Sequence, residues 1–186
     1  MSDLPKLLIV EDDETIRTQL KYALRERYAL SFAENRTEAL AVIEEVGPDV
    51  VSLDLGLPPH PATAEEGLRA LEDILRAAPT TKVIVLTGSG DRENARRAIA
   101  LGAFDYLAKS ADFAEYETVL RRSCYLQTLE SENAQRSVEA ESAARFEEII
   151  GSTPRMREIF SMVSLVAKTS STELRYNVPR IFLAWK

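Results

Sequence analysis

DVVSLDLGLPP, residues 49–59, decides the fold. Val50, Val51, Ser52 and Leu53 form a short, nearly continuous apolar run, the pattern of a strand buried on both faces of a parallel sheet. The run then delivers an acid, Asp54, and a Gly-Leu-Pro-Pro turn follows. A lone buried carboxylate is costly. A strand ending on one needs a partner for it.

Outward from this stretch, apolar runs alternate with amphipathic segments. KLLIV (6–10), YALSFA (28–33), KVIVLTG (82–88) and FDYLAK (104–109) read as four further strands. Between them, Ile16, Leu20, Ala23 and Leu24 recur at helical spacing, RTEALAVIEEV (37–46 with Arg36) is a helix stopped by Gly-Pro-Asp, and LRALEDILRAAP and RENARRAIALGA supply two more. Another helix starts near Asp112. Five βα units predict an α/β fold, a five-stranded parallel sheet doubly wound with helices on both faces, of the flavodoxin kind.

In such sheets functional groups gather outside the carboxyl ends of the strands. Here those ends carry Glu11 and Asp12 (with Asp13 next), Asp54, Thr87 and Lys109. Crowded carboxylates repel, so a proton or a cation must relieve them. All-oxygen ligands suit a hard divalent ion such as Mg²⁺, which takes few protein ligands and keeps several waters. With Lys109 opposite, the set suits phosphoryl transfer to an Asp nucleophile. Strand–helix junctions also favour acids as caps. That plainer reading fits Asp13 as readily as a site role does, but it does not explain the whole set.

Composition narrows the classes. The chain has 186 residues and a net charge of −7, which argues against a stand-alone nucleic-acid binder. Its single cysteine, Cys124, excludes an internal disulfide framework and a cysteine zinc site, and reads as a bystander thiol. No signal peptide and no run near ~20 apolar residues is found, so a cytoplasmic protein without membrane contact is expected. From Glu115 to Glu148 there is no Gly or Pro, which predicts one continuous helix running on beyond the domain. Leu126, Leu129, Asn133 and Arg136, followed by Ala140, Ala143 and Phe146, are spaced like a weak coiled-coil seam. A coiled coil and a solvated linker are both open. Ser152 or Thr153 then caps a short amphipathic helix, with Pro154 at its first position and Ile159, Phe160, Val163 and Val166 on one face.

LLIVEDDETIR, VVSLDLGLPP, VIVLTG and YLAKS, in that order, resemble the receiver domain of two-component response regulators, whose type fold is CheY-like. The resemblance covers about residues 5–125, and it implies a receiver domain over 1–125. It implies that Asp54 accepts a phosphoryl group from a sensor histidine kinase, and that Glu11, Asp12, Asp54 and the Gly56 carbonyl hold Mg²⁺. It further implies that Thr87 and Lys109 meet the phosphoryl oxygens, and that Tyr106 is the switch aromatic whose inward turn follows Thr87. The sequence departs from the pattern in two places. Ser110 stands where the family usually has a proline, often after a cis bond; a cis bond before Ser would cost roughly 2.5–4 kcal/mol. A trans bond there would place Lys109 differently. The loop GLPPHPATAEEG is also long for the family, and its His60 reads as a solvated loop residue. DLGLPP and TGSGDRENARRAIALGAFDY are similar to regulators encoded beside exosortase genes, the PEP-CTERM-box group.

FEEIIGSTPRMREIFSMVSLVAKTSST, residues 146–172, resembles the opening of the AAA+ domain of NtrC-like, sigma-54-dependent activators. That implies a truncated regulator: a receiver, a helical linker over 126–148, a stub of the AAA+ domain over 149–172, and an unrelated tail over 173–186. The 186 residues contain no G-x-x-x-x-G-K-[ST], so neither ATPase activity nor DNA or sigma-54 polymerase contact is expected of this piece, only of the full-length protein. A homodimer is expected through the linker helix, together with the face around Tyr106 and the last receiver helix. Two other classes stand beside the phospho-accepting module. One is a pseudo-receiver that only dimerises. The other is a Mg²⁺-dependent phosphohydrolase with an Asp nucleophile, which commonly wants a second acid where this chain has Gly56.

Overall fold

A computed structural model describes residues 4–88, 91–150, 158, 161 and 162. The sheet strands are β1 (Lys6–Val10), β2 (Ala29–Ala33), β3 (Val50–Asp54), β4 (Lys82–Thr87) and β5 (Asp105–Ala108). Between them run α1 (Glu14–Leu24), α2 (Arg36–Val46), α3 (Glu65–Ala77) and α4 (Arg92–Leu101), and α5 (Phe113–Ile150) follows β5. All strand pairs are parallel, in the order β2-β1-β3-β4-β5. After β2 the chain crosses to the other side of β1, so the carboxyl ends of β1 and β3 flank the crevice where the strand order reverses.

Period-two alternation splits the strands between two cores. Leu8, Val10, Val51, Leu53, Val83 and Val85 pack with Ala39 and Ile43 of α2, Leu68, Leu71 and Ile74 of α3, and Ala98 of α4. Leu7, Ile9, Val50, Ile84, Leu86 and Leu107 pack on the opposite face with Leu24 of α1 and with Tyr116, Val119, Leu120 and Cys124 of α5. Every residue of β3 is buried. The expected fold class is the one observed.

Local chemistry sets the ends of the helices. Asp13 caps α1, accepting from the Thr15 and Ile16 amides at 2.7 and 3.2 Å; those bonds hold its carboxyl below the usual range. Asn35 caps α2 by accepting from the Glu38 amide at 3.0 Å, and Gly47 ends that helix at φ 59°, where a side chain would be strained. Gly67 answers a different need. A Cβ there would lie 2.3 Å from the Leu55 Cα, so only glycine lets α3 press against the backbone that follows Asp54.

The chain divides into two compact units, residues 1–134 and 135–186. The first includes the stretch 126–134, where Lys82 at the start of β4 holds Glu130 at 2.5 Å. α5 is continuous through the stretch without Gly or Pro, as the sequence predicts. Of the spaced apolar positions, Leu126 is half-buried and Leu129 is exposed. In the second unit, Glu158, Ser161 and Met162 are helical. The expected helix face at Ile159, Phe160, Val163 and Val166, and the tail, lie outside the described residues. No helix among the described residues is long and apolar enough to cross a membrane.

Candidate functional site

The strand ends meet as their register dictates. Val10 lies opposite Leu53, Asp54 opposite Leu86, and Thr87 opposite Ala108, so the residues that end or follow β1, β3, β4 and β5 share one rim. A pocket of about 440 Å³ opens there, lined among others by Glu11, Asp12, Asp54, Gly56, Thr87 and Lys109. Glu11, Asp54 and Thr87 are buried, and Asp12 is exposed. Glu11, Asp12 and Asp54 each bring a carboxylate oxygen within 4.8 Å of the others. Asp13 stands apart as the helix cap described above.

Lys109 is the internal counter-charge. Its ammonium lies 2.8 Å from Asp54 Oδ2 and 3.0 Å from Glu11 Oε1. Burial, reinforced by the charge of Asp54, holds the Glu11 carboxyl above its usual range, and the Lys109 contacts only partly offset this. Burial also opposes charge on Lys109, but the hydrogen bond and charge of Asp54, and then those of Glu11, outweigh it and keep the ammonium above its ordinary value. The two directions agree once the charges are counted. One ammonium serves two buried carboxylates, so the cluster remains short of positive charge. An all-oxygen donor set with a deficit of positive charge fits Mg²⁺.

Ser110 does not displace Lys109. The cis peptide among the described residues is Pro58–Pro59, so Lys109–Ser110 is trans. The Lys109 amide donates to the Thr87 carbonyl at 2.7 Å, which ties the end of β5 to the end of β4 and points the side chain into the pocket. Among the described residues, the Thr87 hydroxyl makes a long 3.5 Å contact with the Leu107 carbonyl. Tyr106 is exposed. His60 is exposed as expected, and its carbonyl accepts from Thr63 to close the loop turn. That loop, through Pro61–Ala64, forms one wall of the pocket.

One residue of this neighbourhood escaped the sequence reading. Arg17 of α1 donates to the carbonyls of Glu11 and Asp12 at 2.8 and 2.7 Å and to Glu34 at 2.5 Å, so it clamps the turn that carries two of the acids. Its signal was weak: a half-buried arginine on a helix of mostly exposed residues, five or six positions after the carbonyls it binds.

Comparison with known proteins agrees with this geometry. A family model described as the response regulator receiver domain matches residues 7–121. The regulatory protein AtoC of Escherichia coli K12 is 26% identical over 175 residues, covering 94% of this chain and 37% of its own length. The DNA-binding transcriptional regulator NtrC of Proteus hauseri is 29% identical over 169 residues, covering 89% of this chain and 34% of its own. The chain thus spans about a third of the length of these relatives. Among solved structures, the signal receiver domain of an HD domain-containing protein from Pseudomonas fluorescens Pf-5 matches with a TM-score of 0.64 at 30% identity, over 71% of this chain and 95% of that one.

Proposed function

Because the chain belongs to the response regulator receiver family, we propose that Asp54 is its phospho-acceptor, taking a phosphoryl group from a sensor histidine kinase in a Mg²⁺-dependent step. The observation that carries this reading is the Lys109 bridge: one ammonium within 3.0 Å of both Glu11 and Asp54 at a rim of three carboxylates. In the transfer, an Asp54 carboxylate oxygen forms the bond to phosphorus while the bond from phosphorus to the histidine nitrogen breaks, and the nitrogen keeps the electron pair. Glu11, Asp12, Asp54 and the Gly56 carbonyl would hold Mg²⁺, which when bound supplies positive charge to the acids and the phosphoryl oxygens. Lys109 neutralises a phosphoryl oxygen from the opposite side. The Thr87 hydroxyl, 3.5 Å from the Leu107 carbonyl, would turn toward the same group. A phosphoryl group adds about −1.5 to −2 charge and strong acceptors, enough to reorient both side chains. Tyr106, exposed in this arrangement, would follow Thr87 inward.

The protein is a receiver domain of a regulator rather than a metabolic enzyme. We assign it to the NtrC-like, sigma-54-dependent activators and to the cytoplasm. Its likeness to AtoC and NtrC over most of this chain supports that parentage. Contact with DNA and sigma-54 polymerase belongs to the full-length regulator in this reading.

The deciding test is intact-mass spectrometry after incubation with acetyl phosphate and Mg²⁺, beside Asp54→Asn. One phosphoryl adduct is expected on the parent, and none on the variant or without Mg²⁺. A parent that gains no adduct and binds no beryllofluoride would make the chain an assembly module instead.

A further inference from the structure

Among the described residues, three side-chain polar atoms lie buried without a hydrogen-bond partner: Glu11 Oε2, Ser52 Oγ and the Tyr116 hydroxyl. All three belong to the same side of the sheet. Leu7 and Ile9 face α5, and Glu11 continues their alternation; Val50 faces α5, and Ser52 continues it. Ile9 and Ser52 are paired across β1 and β3, which makes Glu11 and Ser52 diagonal neighbours. Tyr116, one turn into α5, packs into that same core. It also lines, with Glu11 and Lys109, an apolar-walled cavity of about 250 Å³ between α1, β5 and α5. Glu11 and Lys109 line the acidic pocket too, so this ion pair is the partition between the two spaces.

The donors and acceptors of the three groups match. A serine hydroxyl can donate to the tyrosine oxygen while the tyrosine donates to a carboxylate oxygen. Two bonds would satisfy all three atoms, and leaving each unmet is costly. The Ser52 hydroxyl faces the phenol closely enough to temper the upward push of burial on its pKa, yet the two form no hydrogen bond of acceptable geometry. The chain is therefore assembled but open. The other oxygen of Glu11 is the one that Lys109 holds, at 3.0 Å.

We propose that Ser52 and Tyr116 are positioning residues for Glu11, closing into a Ser52–Tyr116–Glu11 relay when cation and phosphoryl group draw Lys109 away, so that helix α5 registers the state of the acidic pocket. The relay rests on the phospho-acceptor reading above. It gives that site a second outlet besides Thr87 and Tyr106: a buried one, leading directly into the helix that continues to Ile150.

Amide hydrogen exchange on the full 186-residue chain tests it, with and without Mg²⁺ and beryllofluoride, in the parent, Tyr116→Phe and Ser52→Ala. In the parent, ligand is expected to slow exchange both at the site segments 82–88 and 105–109 and in the first turns of α5, residues 113–124. Tyr116→Phe keeps the ring and is expected to retain the first response and lose the second. Ser52→Ala removes the first donor and is expected to lose at least half of the α5 response, and it serves alone should Tyr116→Phe not fold. An unchanged α5 response in either variant overturns the relay. A parent that responds at the site segments but not in α5 overturns the relay and leaves the phospho-acceptor reading standing. A parent that responds in neither overturns both. A merely structural role for Tyr116 would lower stability and leave the ligand response of α5 in place.

Discussion

Lys109, Glu11 and Arg17 show how single side chains set the properties of this site. Glu11 is held above its ordinary value of 4.5, so the fold favours its protonated form. That preference contributes stability below 4.5, and the contribution is lost as pH rises through the folded-state value. Glu11→Gln keeps the shape without the charge. It is expected to melt higher than the parent at pH 7, with the advantage fading toward pH 4, while Mg²⁺ binding is lost; thermal melts across pH and a Mg²⁺ titration check both. Arg17 acts at one remove, through the carbonyls of Glu11 and Asp12. Because groups that orient metal ligands commonly change affinity by about 10–100-fold, Arg17→Met is expected to weaken Mg²⁺ binding by about 10-fold. Calorimetric titration reads that, and a drop in stability with unchanged affinity would count against the clamp. The acids, Thr87 and Lys109 were legible in the sequence because each ends a strand whose apolar run points to it. Arg17 was not, because its importance lies in contacts between elements that no periodicity encodes.

At the scale of elements, the seating of helices on the sheet decides whether the site exists. Gly67 lets α3 meet the Leu55 backbone, one residue beyond Asp54. Gly67→Ala must separate them, and overpacking of this kind costs typically 1–3 kcal/mol. A loss of at least about 1 kcal/mol in urea unfolding is expected, together with slower phosphorylation of Asp54. On the other face, Cys124 seats α5 against the sheet, and burial, with the charge of Asp49, pushes its thiol up to about 11. A thiol so placed is inert. Its reaction with a maleimide at pH 7 is expected to run roughly 100-fold slower in the native protein than in denaturant, since little thiolate is present. Native labelling at the denatured rate would mean that α5 lifts readily from the sheet. The elements themselves were readable from apolar periodicity, and their limits from caps such as Asn35 and Gly47. How tightly α3 sits on β3 was not, since a glycine inside a helix pattern does not say what it makes room for.

Considered as a whole molecule, the chain joins a pocket built from strand ends to one long helix. The continuous α5, with Leu129 and Val138 exposed, motivates a dimer through this helix. Light scattering is expected to give twice the chain mass at tens of micromolar, and a monomer at every concentration, phosphorylated or not, would remove that idea. Fold class was legible at this scale because alternating strands and helices leave few topologies. The assembly is harder to read, since the few large apolar residues of the seam are compatible with pairing and with solvent. The ion pair between Lys109 and Glu11 spans 98 positions of sequence. During synthesis, therefore, the amino-terminal acids leave the ribosome long before the lysine that completes their surroundings. A nascent chain halted anywhere before β5 lacks Lys109, so the acidic pocket gains its counter-charge in one step, once the last strand has emerged.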